Sequence, residues 1–272
     1  MSTDDPPGSR DPPPLLEFAN ITVMRGERKI LDSLSITIRE GEHVAILGPN
    51  GSGKSSFIRT INREHYPVIQ DHASPVFRVR GQDAWDVFSL RSFLGIVSND
   101  LQYTFTREIT GREVVLSGFY SSIGLFNREV TREMEEKTGR ITRFLEISHL
   151  EDRPMTTLSS GEARRFLIGR ALVHDPAALV LDEPTNSLDL HALHRFRSVL
   201  RKIARNGTGI IMVTHNLHDI IPEISRVVLM KEGRFCQDGP KEQVLTDEAI
   251  GRLFEVPVRV RQEGGWYYAS GY

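Results

Sequence analysis

The residues best suited to chemistry lie in "GPNGSGKSS", Gly48 to Ser56, where glycines at 48, 51 and 53 precede Lys54 and Ser55. This is the spacing G-x-x-x-x-G-K-[ST]. Glycine lets the backbone bend so that successive N–H groups converge, making a seat for phosphate oxygens. The apolar run "HVAILG" enters this stretch and "SSFIRTIN" leaves it with helical spacing. The positive end of a helix therefore adds to the same seat. Lys54 would supply charge to the β- and γ-phosphates of a nucleotide, and the Ser55 hydroxyl would ligate magnesium. The expected nucleotide-binding residues are Gly48, Pro49, Asn50, Gly51, Ser52, Gly53, Lys54, Ser55 and Ser56.

A triphosphate held this way needs an acid for its metal and a group to activate water. "ALVLDEP" delivers Asp182 to the end of an apolar strand, which is where open α/β sheets bind ligands. Asp182 is expected to hold magnesium through water, and Glu183 to orient or deprotonate the attacking water. Alone, such a pair is more often a solvated loop or a helix cap; the upstream phosphate seat favours the catalytic reading. His215 ends a second apolar run, "GIIMVTH", and is expected to contact the γ-phosphate. A second anion site is expected at "LSSGE". There Ser159-x-x-Glu162 fits a capping box opening an amphipathic helix. Ser159, Ser160 and Gly161 are expected to leave hydroxyl and N–H groups free at its positive end.

The elements that must position these groups alternate along the chain. "LLEFANITV" and "LDSLSITIR" show strand-like alternation about the turn "MRGERK". "HVAILG", "ALVLDEP" and "GIIMVTH" are short, continuous apolar runs, the pattern of strands buried on both faces of a parallel sheet. "VFRVRG" and "FLGIVS" read as further strands. The fold class is α/β, with a mainly parallel core sheet, an N-terminal antiparallel β subdomain and a helical insert over about residues 105–165. In the insert Val130, Met134, Ile141, Phe144 and Leu145 recur at helical spacing between charges. The first fourteen residues hold five prolines and read as an unstructured tail. They lack the basic start and apolar stretch of a secretory leader. The main domain is expected over 15–260, with residues 261–272 closing the chain in a strand hairpin turning at Gly264-Gly265.

Composition narrows the class. A net charge of -2 argues against a generally basic nucleic-acid binder. A lone cysteine, Cys236, excludes an internal disulfide framework and suits a reducing compartment. No apolar run approaches the ~20 residues that span a bilayer, so a cytoplasmic location is expected, with any membrane attachment supplied by another chain.

In order and rough spacing, "GPNGSGKSS", "LSSGE", "LVLDEP", "SLD" and "TH" resemble the ABC ATPase cassette, a P-loop NTPase with a RecA-like core. The resemblance covers about Leu15 to Val260. It implies that "LSSGE" is the signature sequence, that Ser187 and Asp189 belong to the D-loop, and that ATP and Mg2+ are bound. It also implies a head-to-tail dimer, in which each nucleotide lies between one P-loop and the other subunit's signature. The chain departs from the family pattern in three places. Ser160, Gly161 and Glu162 stand where two glycines and a glutamine are usual. Asn99 stands at the Q-loop position beside the metal, with Gln102 as the alternative. Arg25 replaces the aromatic residue that commonly stacks on adenine; it either stacks through its planar guanidinium or is a solvated turn residue.

Two functions are consistent with this reading. The first is the ATP-hydrolysing subunit of an ABC transporter, at the cytoplasmic face of the membrane beside integral membrane permease subunits. Phe119, Tyr120 and Phe126 then belong either to the docking surface or to the insert's own core. The ending "LTDEAIGRLFEVPVRV" is similar to metal-chelate importer cassettes, and "LSSGEARRFLIGRALVHDP" to the molybdate-transport or photorepair-labelled group. The second is a stand-alone regulatory ATPase, or one acting with nucleic acid or ribosomes.

Overall fold

The computed structural model describes residues 14–69, 74–98, 109–125 and 127–272. Its centre is a six-stranded sheet in the order β5-β6-β7-β3-β8-β9. The strands are β3 (His43–Leu47), β5 (Leu94–Val97), β6 (Ala178–Asp182), β7 (Gly209–Thr214), β8 (Arg226–Lys231) and β9 (Arg234–Pro240). All neighbours run parallel except β8 and β9. The apolar runs are continuous because both faces of the sheet are covered. Successive side chains point to opposite sides, so Ala45, Leu47, Leu179, Leu181, Ile210 and Met212 enter one core. Val44, Ile46, Ala178, Val180, Ile211 and Val213 enter the other.

The second core is closed by an antiparallel sheet in the order β2-β1-β4, formed by β1 (Pro14–Arg25), β2 (Arg28–Arg39) and β4 (Val76–Val79). Helix α1 (Lys54–Ile61) lies between the sheets. Phe18 meets Phe57 and Phe77 edge-on there, with ring centroids 5.3 and 4.8 Å apart. Helix α2 (Val87–Phe93) leads into β5.

The first core takes the insert helices α3 (Gly111–Ser117), α4 (Arg132–Phe144) and α5 (Ser160–Leu172). Each starts where a hydroxyl cap satisfies an otherwise unpaired N–H: Thr110, Thr131 and Ser159. Of the stripe expected in α4, Ile141 and Leu145 are buried, whereas Val130 lies before the helix begins. Phe119 packs against the core, while Phe126 falls outside the described residues. One expectation is corrected: α5 is not amphipathic. Gly161 and every residue from Ala163 to Gly169 are buried, because α5 is wedged between the insert, the sheet edge and the following helix. Its buried Arg164 and Arg165 donate to backbone carbonyls.

Helix α6 (Leu190–Arg205) links β6 to β7, and α7 (Lys241–Val244) and α8 (Asp247–Phe254) follow β9. Strands β10 (Arg259–Glu263) and β11 (Trp266–Ser270) form the terminal hairpin, turning at Gly264-Gly265 as expected. No helix among the described residues is long and apolar enough to cross a membrane.

Candidate active site

Strands β6, β7 and β3 are neighbours and parallel, so their carboxyl ends bring Asp182, His215 and Gly48 to one edge. At Gly48 a Cβ would lie 2.1 Å from the Met230 carbonyl oxygen, so only glycine fits beside β8. Gly53, at φ 107°, makes the left-handed turn into α1 that a side chain would strain. The loop ends in a cavity of about 590 Å³ lined by Asn50, Gly51, Gly53, Lys54, Ser55, Ser56, Asp182 and Glu183. Arg28 and Lys29 line it from the start of β2.

Lys54 is folded back over the loop. Its Nζ donates to the Gly48 and Pro49 carbonyls at 2.8 and 2.9 Å and lies 3.4 Å from Glu183 Oε1. Burial pulls its pKa below the ordinary lysine value, against the pull of Glu183. Ser52 Oγ is buried without a hydrogen-bond partner, a polar atom that a phosphate oxygen in the cradle would satisfy. Ser55 Oγ donates to Asp182 Oδ1 at 3.2 Å, so a hydroxyl and a carboxylate meet at the cavity wall. These are hard oxygen donors of the kind magnesium takes together with phosphate and water. Among the described residues no group of three His, Cys, Asp or Glu could hold a metal alone. Ser55 and Asp182 fit a magnesium ion that would share its shell with a nucleotide's phosphates.

Glu183 leaves the sheet with φ 44°, a left-handed conformation uncommon outside glycine and asparagine. Its N–H still donates to the Val213 carbonyl at 2.9 Å. Oε1 lies 3.3 Å from His215 Nδ1, within ion-pair range but without hydrogen-bond alignment. Oε2 accepts from Asn186 Nδ2 at 2.6 Å. Burial alone would raise the Glu183 pKa. The Asn186 hydrogen bond and the charges of Lys54 and His215 outweigh it, leaving the pKa below the ordinary value. The group is thus held as a carboxylate.

The residues expected to form the signature, Leu158 to Glu162, make a separate cluster. The capping box is present: Ser159 N and Oγ each donate to Glu162 Oε2 at 2.8 Å, and Glu162 N donates to Ser159 Oγ at 3.3 Å. Ser160 Oγ donates to the Ser187 carbonyl at 3.3 Å. This corrects the expectation of free hydroxyls, since both are engaged. The physical reason is Glu162, a carboxylate long enough to reach back over the helix end. Its pKa lies below the ordinary value, the Ser159 bonds and nearby arginines outweighing burial. Gly161 is buried, and a Cβ there would meet that of Ala192 at 2.8 Å. Ser187 sits at φ 64°, and Asp189 caps α6 through the Ala192 N–H at 2.7 Å. These residues connect the loop after Glu183 to the signature within one chain.

Arg25 is exposed and is not among the residues lining the cavity. Asn99 and Gln102 fall outside the described residues. Sequence reasoning missed Asn186, Asp219 and Arg164. Arg164 Nη1 donates to the Pro184 and Asn186 carbonyls, tying α5 to the Glu183 loop. A signal existed for it, two adjacent arginines running directly into the apolar stretch Phe166–Ile168. Asn186, three residues beyond Glu183, carried none.

The comparisons agree with this geometry. Residues 31–186 match the family model described as ABC transporter. The chain is 30% identical over 262 residues to the hemin import ATP-binding protein HmuV of Bradyrhizobium diazoefficiens, covering 93% of each. Among solved structures it is similar to an ATP-binding cassette of an ABC transporter in its ADP conformation. That match has 26% identity and a TM-score of 0.76, covering 89% of this chain and 98% of the other. It is also similar to CbiO1 of Clostridium perfringens, part of the transporter complex CbiONQ. There the identity is 26% and the TM-score 0.71, covering 88% and 94% of the two chains. This chain belongs to the ABC transporter family. It has the P-loop NTPase cassette fold, binds ATP and is an ATPase.

Proposed function

We propose that the chain works as a head-to-tail homodimer, each ATP held between the P-loop of one copy and the signature of the other, and that it drives membrane-spanning permease subunits. The observation carrying this reading is the separation of the two anion sites. No residue from 158 to 162 is among the described residues lining the P-loop cavity of the same chain. A second copy supplies the missing helix end, so ATP favours association, and loss of the bridging charge on hydrolysis favours opening.

Within each composite site, the P-loop N–H groups and Lys54 bind the phosphates, and Ser55 and Asp182 hold Mg2+, which neutralises phosphate charge when bound. Glu183 takes a proton from the attacking water, and His215 orients Glu183 and meets the γ-phosphate. Arg25, Asn99 and Gln102 remain candidates for the adenine and metal contacts. Support for the permease comes from a second cavity of about 530 Å³ bounded by α1, α2, β5, α5 and the segment after α3, lined by Arg59, Arg91, Ile123 and Arg170 and reaching Asp182 of the nucleotide site. Arg170 is held in its wall by hydrogen bonds to Ser117 Oγ and the Ser122 carbonyl at 3.3 and 3.2 Å, while Arg59 and Arg91 give the opening a positive rim. Similarity to a hemin importer and to a CbiONQ component supports attachment to a transporter at the cytoplasmic face.

Complementation tests the dimer. Lys54→Ala and Ser159→Arg chains are each expected to be inactive alone. Mixed, they regain activity, because a heterodimer keeps one site with an intact P-loop and an intact signature. A signature variant fully active alone, or a mixture that stays inactive, would refute the shared site. Detergent extraction with a membrane-spanning protein bound supports the transport role, whereas nucleic acid or ribosomes in its place refute it.

A further inference from the structure

Asp219 lies outside the nucleotide cavity, in the turn Leu217–Asp219 that follows His215, and is only 2% exposed. Its two carboxyl oxygens reach two different loops. Oδ1 accepts from Thr185 Oγ1 at 2.6 Å, and Oδ2 accepts from Thr214 Oγ1. Thr185 is two residues beyond Glu183, and Thr214 immediately precedes His215. Thr214 Oγ1 also accepts from the Asn216 N–H at 3.0 Å. Helix α6 brings Arg197 close enough for its charge to favour the ionised carboxyl, and Trp266 of the terminal hairpin covers that guanidinium at 4.9 Å.

This placement is costly. Burial pushes the Asp219 carboxyl above its ordinary pKa, against the pull of Thr185, Thr214, Arg197 and His215. A turn that only needed closing has cheaper solutions in asparagine or serine side chains. What the carboxylate adds is a two-sided acceptor at the place where sheet pairing stops. Pairing of β6 with β7 ends at Asp182 and Val213. Beyond it, the geometry between Glu183 and His215 depends on the loops.

We propose that Asp219 is a positioning residue that holds Glu183 and His215 in their catalytic relation by hydrogen-bonding the threonine that flanks each of them. This rests on the reading of Glu183 as base and His215 as its orienting partner. A misplacement near 1 Å costs up to a hundredfold in rate, so loss of the tie acts on turnover and spares nucleotide affinity.

The test uses the full chain with Asp219→Ala, Thr185→Val, Thr185→Ser and Thr214→Val. Asp219→Ala and Thr185→Val are expected to lower kcat by about tenfold to a hundredfold with KM for ATP nearly unchanged. Thr185→Ser, which keeps the hydroxyl, is expected to restore turnover. Asp219→Ala combined with Thr185→Val is expected to be no worse than Asp219→Ala alone, the mark of a shared interaction. In the nucleotide-free protein, amide hydrogen exchange is expected to rise together at residues 185–186 and 214–216 in Asp219→Ala. Equal impairment by serine and valine at 185, additive losses, or unchanged exchange at either loop would overturn the tie. Undiminished turnover in Glu183→Gln would instead remove the catalytic reading beneath it, whatever the exchange data show.

Discussion

Glu183→Gln separates charge from shape at the centre of the site. Glutamine keeps the volume and can still accept the Asn186 Nδ2 hydrogen bond, 2.6 Å in the native chain. It loses the charge facing Lys54 Nζ at 3.4 Å and His215 Nδ1 at 3.3 Å, and it loses basicity. Lys54, almost fully buried, loses its counter-charge and keeps only the Gly48 and Pro49 carbonyls, so stability should fall, by up to about 3–5 kcal/mol. Turnover is a different matter. A positioned general base contributes about 10² to 10⁴, or roughly 2.7 to 5.4 kcal/mol at 1.36 kcal/mol per decade. ATP binding should persist, because the P-loop and Lys54 are untouched and one negative charge near the phosphates is gone. Phosphate release at saturating Mg-ATP measures the loss, thermal denaturation checks the fold, and gel filtration with ATP should show a trapped dimer. Turnover within about tenfold of wild type would refute the base assignment. A monomeric elution position with ATP bound would refute the shared site.

Three further outcomes follow from particular contacts. In Gly111→Ala the new methyl would lie 2.5 to 2.8 Å from three atoms of the Phe166 ring, itself fully buried. The overpacking should cost about 1–3 kcal/mol, read as a lower Tm. Glu162→Gln keeps a capping side chain but removes the carboxylate from the helix end that would meet phosphate, so ATP-dependent dimerisation should tighten, as measured by ultracentrifugation in the Glu183→Gln background. Glu223 accepts from Arg201 Nε at 2.9 Å and is joined by Arg205. Burial raises its pKa, but these arginines outweigh it and hold the pKa below the ordinary 4.5. A depressed carboxyl stabilises above its unfolded pKa and loses that contribution as pH falls through the folded one. Glu223→Gln should therefore lower Tm at neutral pH, and its deficit should close as pH falls below 4.5. A deficit independent of pH would refute the ion-pair account.

The sequence by itself determined the strand runs, the cradle Gly48–Ser55, the acidic pair Asp182-Glu183 and the capping box Ser159–Glu162. Each is a local pattern whose physics acts over a few residues: alternation, apolar continuity, glycine turns, a hydroxyl three residues before a carboxylate. Tertiary structure decided the rest. Burial on all sides of α5 erased the amphipathic face its sequence implied, and set Arg164 on the carbonyls of a loop about twenty residues away in sequence. The engagement of Ser160 with the Ser187 carbonyl could not be inferred from residue type alone, since a hydroxyl donates to whatever acceptor the fold brings near. Asn186 and Asp219 carry no motif. They matter because parallel pairing of β6 with β7 puts the loops after Asp182 and Thr214 side by side. Long-range pairing sets those neighbours, and no local stretch of chain encodes it.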